Sequence, residues 1–453
     1  MRARWPWPLL AAAMLCKGIL WSLTLPPFFG SDESVHFDYA QYIATTGRLP
    51  VSSEMFDGAD NVNILADAIL VAVHPGEAHA RFYLERAGTG SVGKFEAAAN
   101  NAASNPGPHN RLGEYGPVMY VLYAAAIRVA GTAVTSQVEL ARLVSVLAGV
   151  AASLAVAWAA RRAGLARQSA IAAAAFVGFQ PMWSNQTAIV TADAGLLLFT
   201  TLTLALLLEW WRRPRALTAL AATVAATAAV FSKPAAVFIL PFLLVFARPA
   251  VVAGLARGAR VRPVAAALAA MAIPSLLFAA WQASRHGVTI TGPATHGILA
   301  YFTGEAADKF QHWLSVAAGS WGVFGYGELR LPRAIDVPIA ALSLVIVALG
   351  AVAAIRPRPG NAGAARLLAL FAVANMVFVI LYELARWRTT GERILEGRFL
   401  LPSLPPLVIL AFMGMERLLP PHRARTAAFA SVLVALLLAT VALQTIWAHL
   451  YLT

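Results

Sequence analysis

Four ionisable side chains crowd the stretch SDESVHFDYAQY (31–42), directly after an apolar run that ends WSLTLPPFFG. Asp32 and Glu33 could each take a proton from a hydroxyl, and His36 could assist or join them around a divalent metal, with Asp32 and Asp193 the first candidates for its ligands. Further along stand Asp193 after IVTA, Lys233 before Pro234, and Arg398 two positions after Glu396 in EGRFLLPSLP. Carboxylates beside cations suit a reaction in which a proton is removed while negative charge, as on a phosphate, develops on a leaving group. Each residue also has a plain structural reading. Asp32 and Glu33 could be an N-cap and first-turn acid, Asp193 another cap, and Lys233 a snorkelling lysine. Arg398 could simply pair with Glu396 or Glu383.

What would bring these residues together is the architecture that composition imposes. Of 453 residues, 59% are hydrophobic and 13% charged, and the mean hydropathy is +0.67. A soluble domain is nearer half apolar and a quarter charged, so the composition predicts an all-α polytopic membrane protein. The net charge of +13 does not point to nucleic acid. All basic residues except Lys17, Lys94, Lys233 and Lys309 are arginines, and many of them fill short gaps between apolar runs. That is the pattern of positive-inside topology and contact with anionic headgroups. Cys16 is the single cysteine, which excludes an intrachain disulfide.

Eleven spans are expected, at about 8–28, 138–160, 169–188, 194–211, 216–232, 235–250, 264–283, 337–355, 366–385, 399–416 and 427–449. Placing the N-terminus in the cytoplasm puts the basic gaps RRAGLAR, RRPR, ARGARVR, RPRPGNAGAAR and ERLLPPHRAR on that side. The apolar stretch YGPVMYVLYAAAIRVAG (115–131) is too short for this scheme and reads as an interfacial or re-entrant helix anchored by Tyr115, Tyr120 and Tyr123. Lys17 falls within the first span, where it either snorkels or faces the bundle interior. Two segments, 29–137 and 284–336, are expected as outer loops of one transmembrane domain covering 1–453, the first with interfacial helices.

A helix rises about 1.5 Å per residue, so Arg215 to Lys233, Asp193 to Arg212 and Arg398 to Arg417 each cover roughly 27–28 Å, nearly the full hydrocarbon thickness. Each path runs from a cytoplasmic arginine to a polar residue at the opposite surface. Asp32, Glu33 and His36 emerge there too. Ionisable groups at such a membrane edge point to function. Walker, CxxC, HExxH and GxSxG motifs are absent from the sequence, which argues against ATP-driven transport and serine or zinc hydrolase chemistry.

Five stretches then resemble the GT-C superfamily of polyprenol-dependent integral-membrane glycosyltransferases: PPFFGSDESVHFDYAQYIATTGRLP (26–50), YGPVMYVLYAAAIRVAG with ELARLVSVLAG (115–149), FVGFQPMWSNQTAIVTADAGLLLFTTLTLALLL (176–208), FSKPAAVFILP (231–241) and EGRFLLPSLPPL (396–407). Within that superfamily, PPFFGSDESVHF, GSWGVFGYGELRLP and EGRFLLPSLP look closest to a family of uncharacterised bacterial membrane proteins related to protein mannosyltransferases and aminoarabinose transferases. The resemblance implies a GT-C-like bundle of about 11 helices in the bacterial inner membrane, with its site on the extracytoplasmic face. It implies an inverting transfer of sugar from a polyprenyl-phosphate donor to an envelope glycan, lipid or protein acceptor. Asp32 or Glu33 would be the base, Lys233 and Arg398 would hold the departing phosphate, and Asp193 would orient the acceptor or hold a metal. Trp321, Phe324 and Tyr326 could stack on a sugar or anchor at the interface. The competing readings are a lipid-linked oligosaccharide flippase, which should carry midplane charges and an internal duplication, and an O-antigen ligase or polymerase.

Overall fold

The computed structural model describes residues 6–25, 27–30, 32–50, 115–248, 261–284, 301, 306–324, 329–391 and 396–451. In chain order the helices are α1 (Pro6–Thr24), α2 (Glu33–Thr46), α3 (Val118–Ala130), α4 (Val134–Ala163), α5 (Arg167–Phe179), α6 (Pro181–Gln186), α7 (Ala192–Arg212), α8 (Ala216–Val230), α9 (Val261–Ser284), α10 (Ala306–Gly322), α11 (Asp336–Ile355), α12 (Ala362–Thr390), α13 (Leu404–Leu418) and α14 (Pro421–Tyr451). Three 3₁₀ helices among the described residues, Pro234–Ala247, Arg333–Ile335 and Gly397–Ser403, carry the chain between longer elements. A two-stranded antiparallel ribbon pairs Val323 with Arg330 and Phe324 with Leu329.

Eight helices among the described residues are long and apolar enough to cross a membrane. The other three expected spans are shorter. The stretch 169–188 is split, because Pro181 lacks an N–H and in a continuous helix its ring would clash with the carbonyl four residues earlier. Gln180 ends α5 and starts α6, its side-chain oxygen accepting from the Trp183 N–H. The stretch 216–232 forms α8, and 235–250 forms the 3₁₀ helix with Pro241 inside it. Stretch 115–131 becomes the 13-residue α3, roughly 20 Å long, packed on α2 and α4.

The bundle core is built from α4, α5, α7, α8 and α13, where alanines let the backbones approach closely. Outward faces carry Leu20, Leu276, Val345, Leu381 and Leu437, all exposed, the apolar surface a bilayer would cover. Lys17 turns inward, its Nζ donating to Ser184 Oγ at 3.3 Å.

The two ends of the bundle differ in chemistry. At one end Arg162 pairs with Glu209, Arg212 donates to the Arg162 carbonyl and to Asn361 Oδ1, and Arg358 pairs with Glu416. The gaps around 161–167, 212, 358–361 and 416 therefore meet, as the charge pattern requires. Arg4 and the ARGARVR gap up to Arg260 lie outside the described residues. At α7, 21 residues long and so roughly 31 Å, Arg212 is at this basic end and Asp193 is at the other.

Candidate active site

At the end opposite the arginine gaps, two acid–base pairs meet. Asp32 sits just before α2 with φ 60°, ψ 10°, a left-handed conformation that is uncommon for a non-glycine residue, although Asp tolerates it better than most. Its Oδ2 receives Arg398 Nη2 at 2.6 Å. Arg398 also pairs through Nε with Glu396 Oε2 at 2.8 Å. Gly397 allows this: a Cβ there would lie 2.0 Å from the Ser320 backbone nitrogen and 2.2 Å from the Gly319 carbonyl carbon. The 3₁₀ turn thus packs its backbone directly on α10. Gly397→Ala is expected to destabilise the protein by about 1–3 kcal/mol, since the clash is with backbone and not with a movable side chain. Thermal unfolding in detergent checks it.

The second pair joins Lys233 Nζ to Asp193 Oδ1 at 2.7 Å, with both side chains buried. Lys233 is extended (φ −148°, ψ 129°) because Pro234 follows it. Asp193 lies in the first turn of α7, where Thr191 caps the helix by accepting from the Asp193 N–H. Asp193 Oδ2 is buried without a hydrogen bond among the described residues. The Phe399 ring links the pairs, 4.9 Å below Lys233 Nζ and 5.7 Å from the Arg398 guanidinium carbon.

His36 completes the group. Its ring is buried, and Nδ1 shares a 2.7 Å hydrogen bond with Tyr120 Oη. Burial pushes the imidazole down to about 3, more than the nearby Asp32 can offset, so His36 is neutral at physiological pH. For Asp32, burial alone would push the carboxyl up. The adjoining Arg398 guanidinium outweighs this, with help from Lys233, and holds it below the ordinary range. Asp32 is therefore an ionised carboxylate facing neutral imidazole and two cations.

Not every expected residue reaches this cluster. Glu33, paired with Asp32 as a candidate base, is fully buried and binds Arg142 through both oxygens, at 2.7 and 2.6 Å. Its neighbour faces the site and it does not. Trp321 is buried against Phe176 and donates Nε1–H to Ser343 Oγ, so its ring fills the core instead of offering a face to a sugar. Phe324 is likewise enclosed, beside Trp21. Tyr326 lies outside the described residues. Glu383 engages Tyr301 and His312, and Arg398 takes Glu396 and Asp32.

For a divalent cation the arrangement is a poor fit. Asp32 and Asp193 each hold a cationic side chain, and among the described residues no group of three or more His, Cys, Asp or Glu comes together to ligate a metal.

Three contributors are not marked as site residues by local sequence, where Tyr120 reads only as an interface anchor. Arg142, Tyr120 and Phe399 all belong to apolar stretches. Only Arg142 leaves a trace, as a charge inside ELARLVSVLAG.

The profile of a family described as predicted membrane protein (DUF2142) matches residues 15–408. The chain belongs to the DUF2142 family. No curated protein matches it. Among solved structures, this DUF2142 chain superposes on ArnT from Cupriavidus metallidurans bound to undecaprenyl phosphate with TM-score 0.50 and 15% identity, covering 99% of this chain and 76% of that one. The apo oligosaccharyltransferase of Archaeoglobus fulgidus also matches, with TM-score 0.50 and 14% identity, covering 100% of this chain and 56% of the longer enzyme. The DUF2142 chain thus spans little more than half of the archaeal protein. At these identities the likeness shows a shared GT-C-like fold.

Proposed function

We propose that this protein is an inverting glycosyltransferase that moves a sugar from a polyprenyl-phosphate donor to a cell-envelope glycan, lipid or protein acceptor, with its site on the extracytoplasmic face of a bacterial inner membrane. The observation that carries the reading is the pairing of Asp32 with Arg398 and of Asp193 with Lys233 at one end of the bundle. The match in fold to ArnT, solved with undecaprenyl phosphate, supports the choice of donor class.

In this reading the acceptor hydroxyl gives its proton to Asp32 as its oxygen bonds to C1 of the sugar. The C1–O bond to the phosphate breaks on the opposite face, and the electron pair leaves with the polyprenyl phosphate. Lys233 and Arg398 stabilise that developing charge. Asp193 holds Lys233 in place, and its second oxygen is available to an acceptor hydroxyl. Neutral His36 adds no charge that would compete for the phosphate. Arg398 ties the two halves together: when the phosphate draws the guanidinium away, Asp32 loses the partner that holds it acidic and becomes a better base.

The test is transfer by purified protein in nanodiscs, supplied with a panel of polyprenyl-phosphate sugars and envelope acceptors. Release of free polyprenyl phosphate coupled to acceptor glycosylation is expected with at least one donor. Inactivity with every donor, in protein shown to be folded, would sink the reading.

The pH profile gives a second check. Asp32 must be ionised to act, and its carboxyl lies below the ordinary value of about 3.9. Neither Asp32 nor His36 should therefore produce a limb in kcat/KM between pH 5 and 8. Arg398→Gln removes the main lowering influence, so any acid limb should move to higher pH in that variant.

A further inference from the structure

Arg142 belongs to no reaction step above, yet among the described residues it is the best-enclosed cation at the site end. It lies within the 30-residue α4 at 2% exposure. Its Nε and Nη2 donate to the two oxygens of Glu33. Its Nη1 donates to the carbonyls of Ser22 and Leu25, at 2.9 and 2.6 Å. Those carbonyls close the last turn of α1, where helix geometry leaves oxygens without partners inside the helix. Glu33 accepts in turn from the Val190 N–H at 2.9 Å and the Gly30 N–H at 3.4 Å.

One guanidinium–carboxylate pair therefore fastens three segments: the end of α1, the start of α2 and the turn that enters α7. Asp32 is the residue before Glu33. Asp193 is three residues after Val190. We infer that Arg142, acting through Glu33, is a positioning residue that sets the placement of the base Asp32 relative to Asp193. This rests on the glycosyltransferase reading and gives Glu33 a role other than base. Two observations favour positioning over plain stabilisation. Asp32 is kept in a left-handed conformation immediately beside the anchored Glu33, and strained residues persist only where their surroundings over-determine them. A buried ion pair is also a poor stabiliser, often replaceable by apolar residues at no loss.

The consequence is measurable. Catalysis is sensitive to small displacements, about 10²-fold for 1 Å. Three variants are compared with wild type in the nanodisc assay: Glu33→Gln, Arg142→Lys, and the double variant Glu33→Met/Arg142→Leu, which leaves no buried charge behind. Thermal unfolding and equilibrium binding of undecaprenyl phosphate are measured alongside. In the double variant kcat should fall by about 10²-fold, while KM for the donor and the binding of undecaprenyl phosphate stay within about twofold, because Lys233 and Arg398 remain. Arg142→Lys should recover little of kcat, since an ammonium lacks the planar fork that reaches Glu33 and the two carbonyls together. Should the double variant fail to fold, Glu33→Gln carries the same comparison, as it keeps the shape and weakens the pair. A folded variant with wild-type kcat overturns the inference, and so does a kcat that falls in parallel with phosphate binding. Wild type that transfers no sugar overturns the enzymatic reading itself, which separates the two failures.

Discussion

Asp32→Asn should lower kcat by about 10²–10⁴-fold, the range that a general base contributes. The amide keeps the size of the carboxylate and can accept a hydrogen bond from Arg398, but it cannot take a proton. Because Lys233 is untouched and Arg398 loses the competing charge of one of its carboxylate partners, affinity for polyprenyl phosphate should be unchanged or tighter. Single-turnover transfer together with phosphate binding separates these effects. Weaker phosphate binding would mean that Asp32 organises the cations and is not the base. Full activity would remove Asp32 from the reaction.

The second large effect is expected at Lys233. Removing a preorganised group that stabilises leaving-group charge typically costs about 10²–10³-fold in kcat. Here it should also weaken donor binding, because in the proposed reaction the buried ammonium would face both the ground-state phosphate and the departing one. Lys233→Ala alone would leave Asp193 as an unpaired buried carboxylate, a change worth about 3–5 kcal/mol in folding free energy. The informative variant is therefore Lys233→Met with Asp193→Asn, in which no charge is stranded. That protein should fold, bind undecaprenyl phosphate at least tenfold more weakly and transfer sugar at about 10²–10³-fold lower kcat. Retained binding would assign the phosphate to Arg398 alone.

Comparing Lys233 with Glu33 shows which kind of information local sequence holds. Lys233 was legible because it ends an apolar helix beside a proline, roughly one membrane thickness from Arg215. Glu33 looked equivalent to Asp32 by composition and place. Their side chains leave a helix start in different directions, and the direction is decided by what packs there. Trp321 is a similar case: an aromatic in a glycine-rich outer segment suits an interface, but α11 supplies Ser343 to its indole and α5 supplies Phe176 to its ring.

From its residues alone, this chain determined a helical membrane bundle, the meeting at one end of the basic gaps around 161–167, 212, 358–361 and 416, and the arrival of Asp32, Asp193, Lys233 and Arg398 at the other. Each of these follows from hydropathy and helical rise, which act over one helix at a time. Tertiary structure decided the pairings. Asp32 meets Arg398 across 366 positions and Glu33 meets Arg142 across 109. Such partners are chosen by how helices pack, and packing depends on side-chain shape along whole interfaces, which no short stretch records.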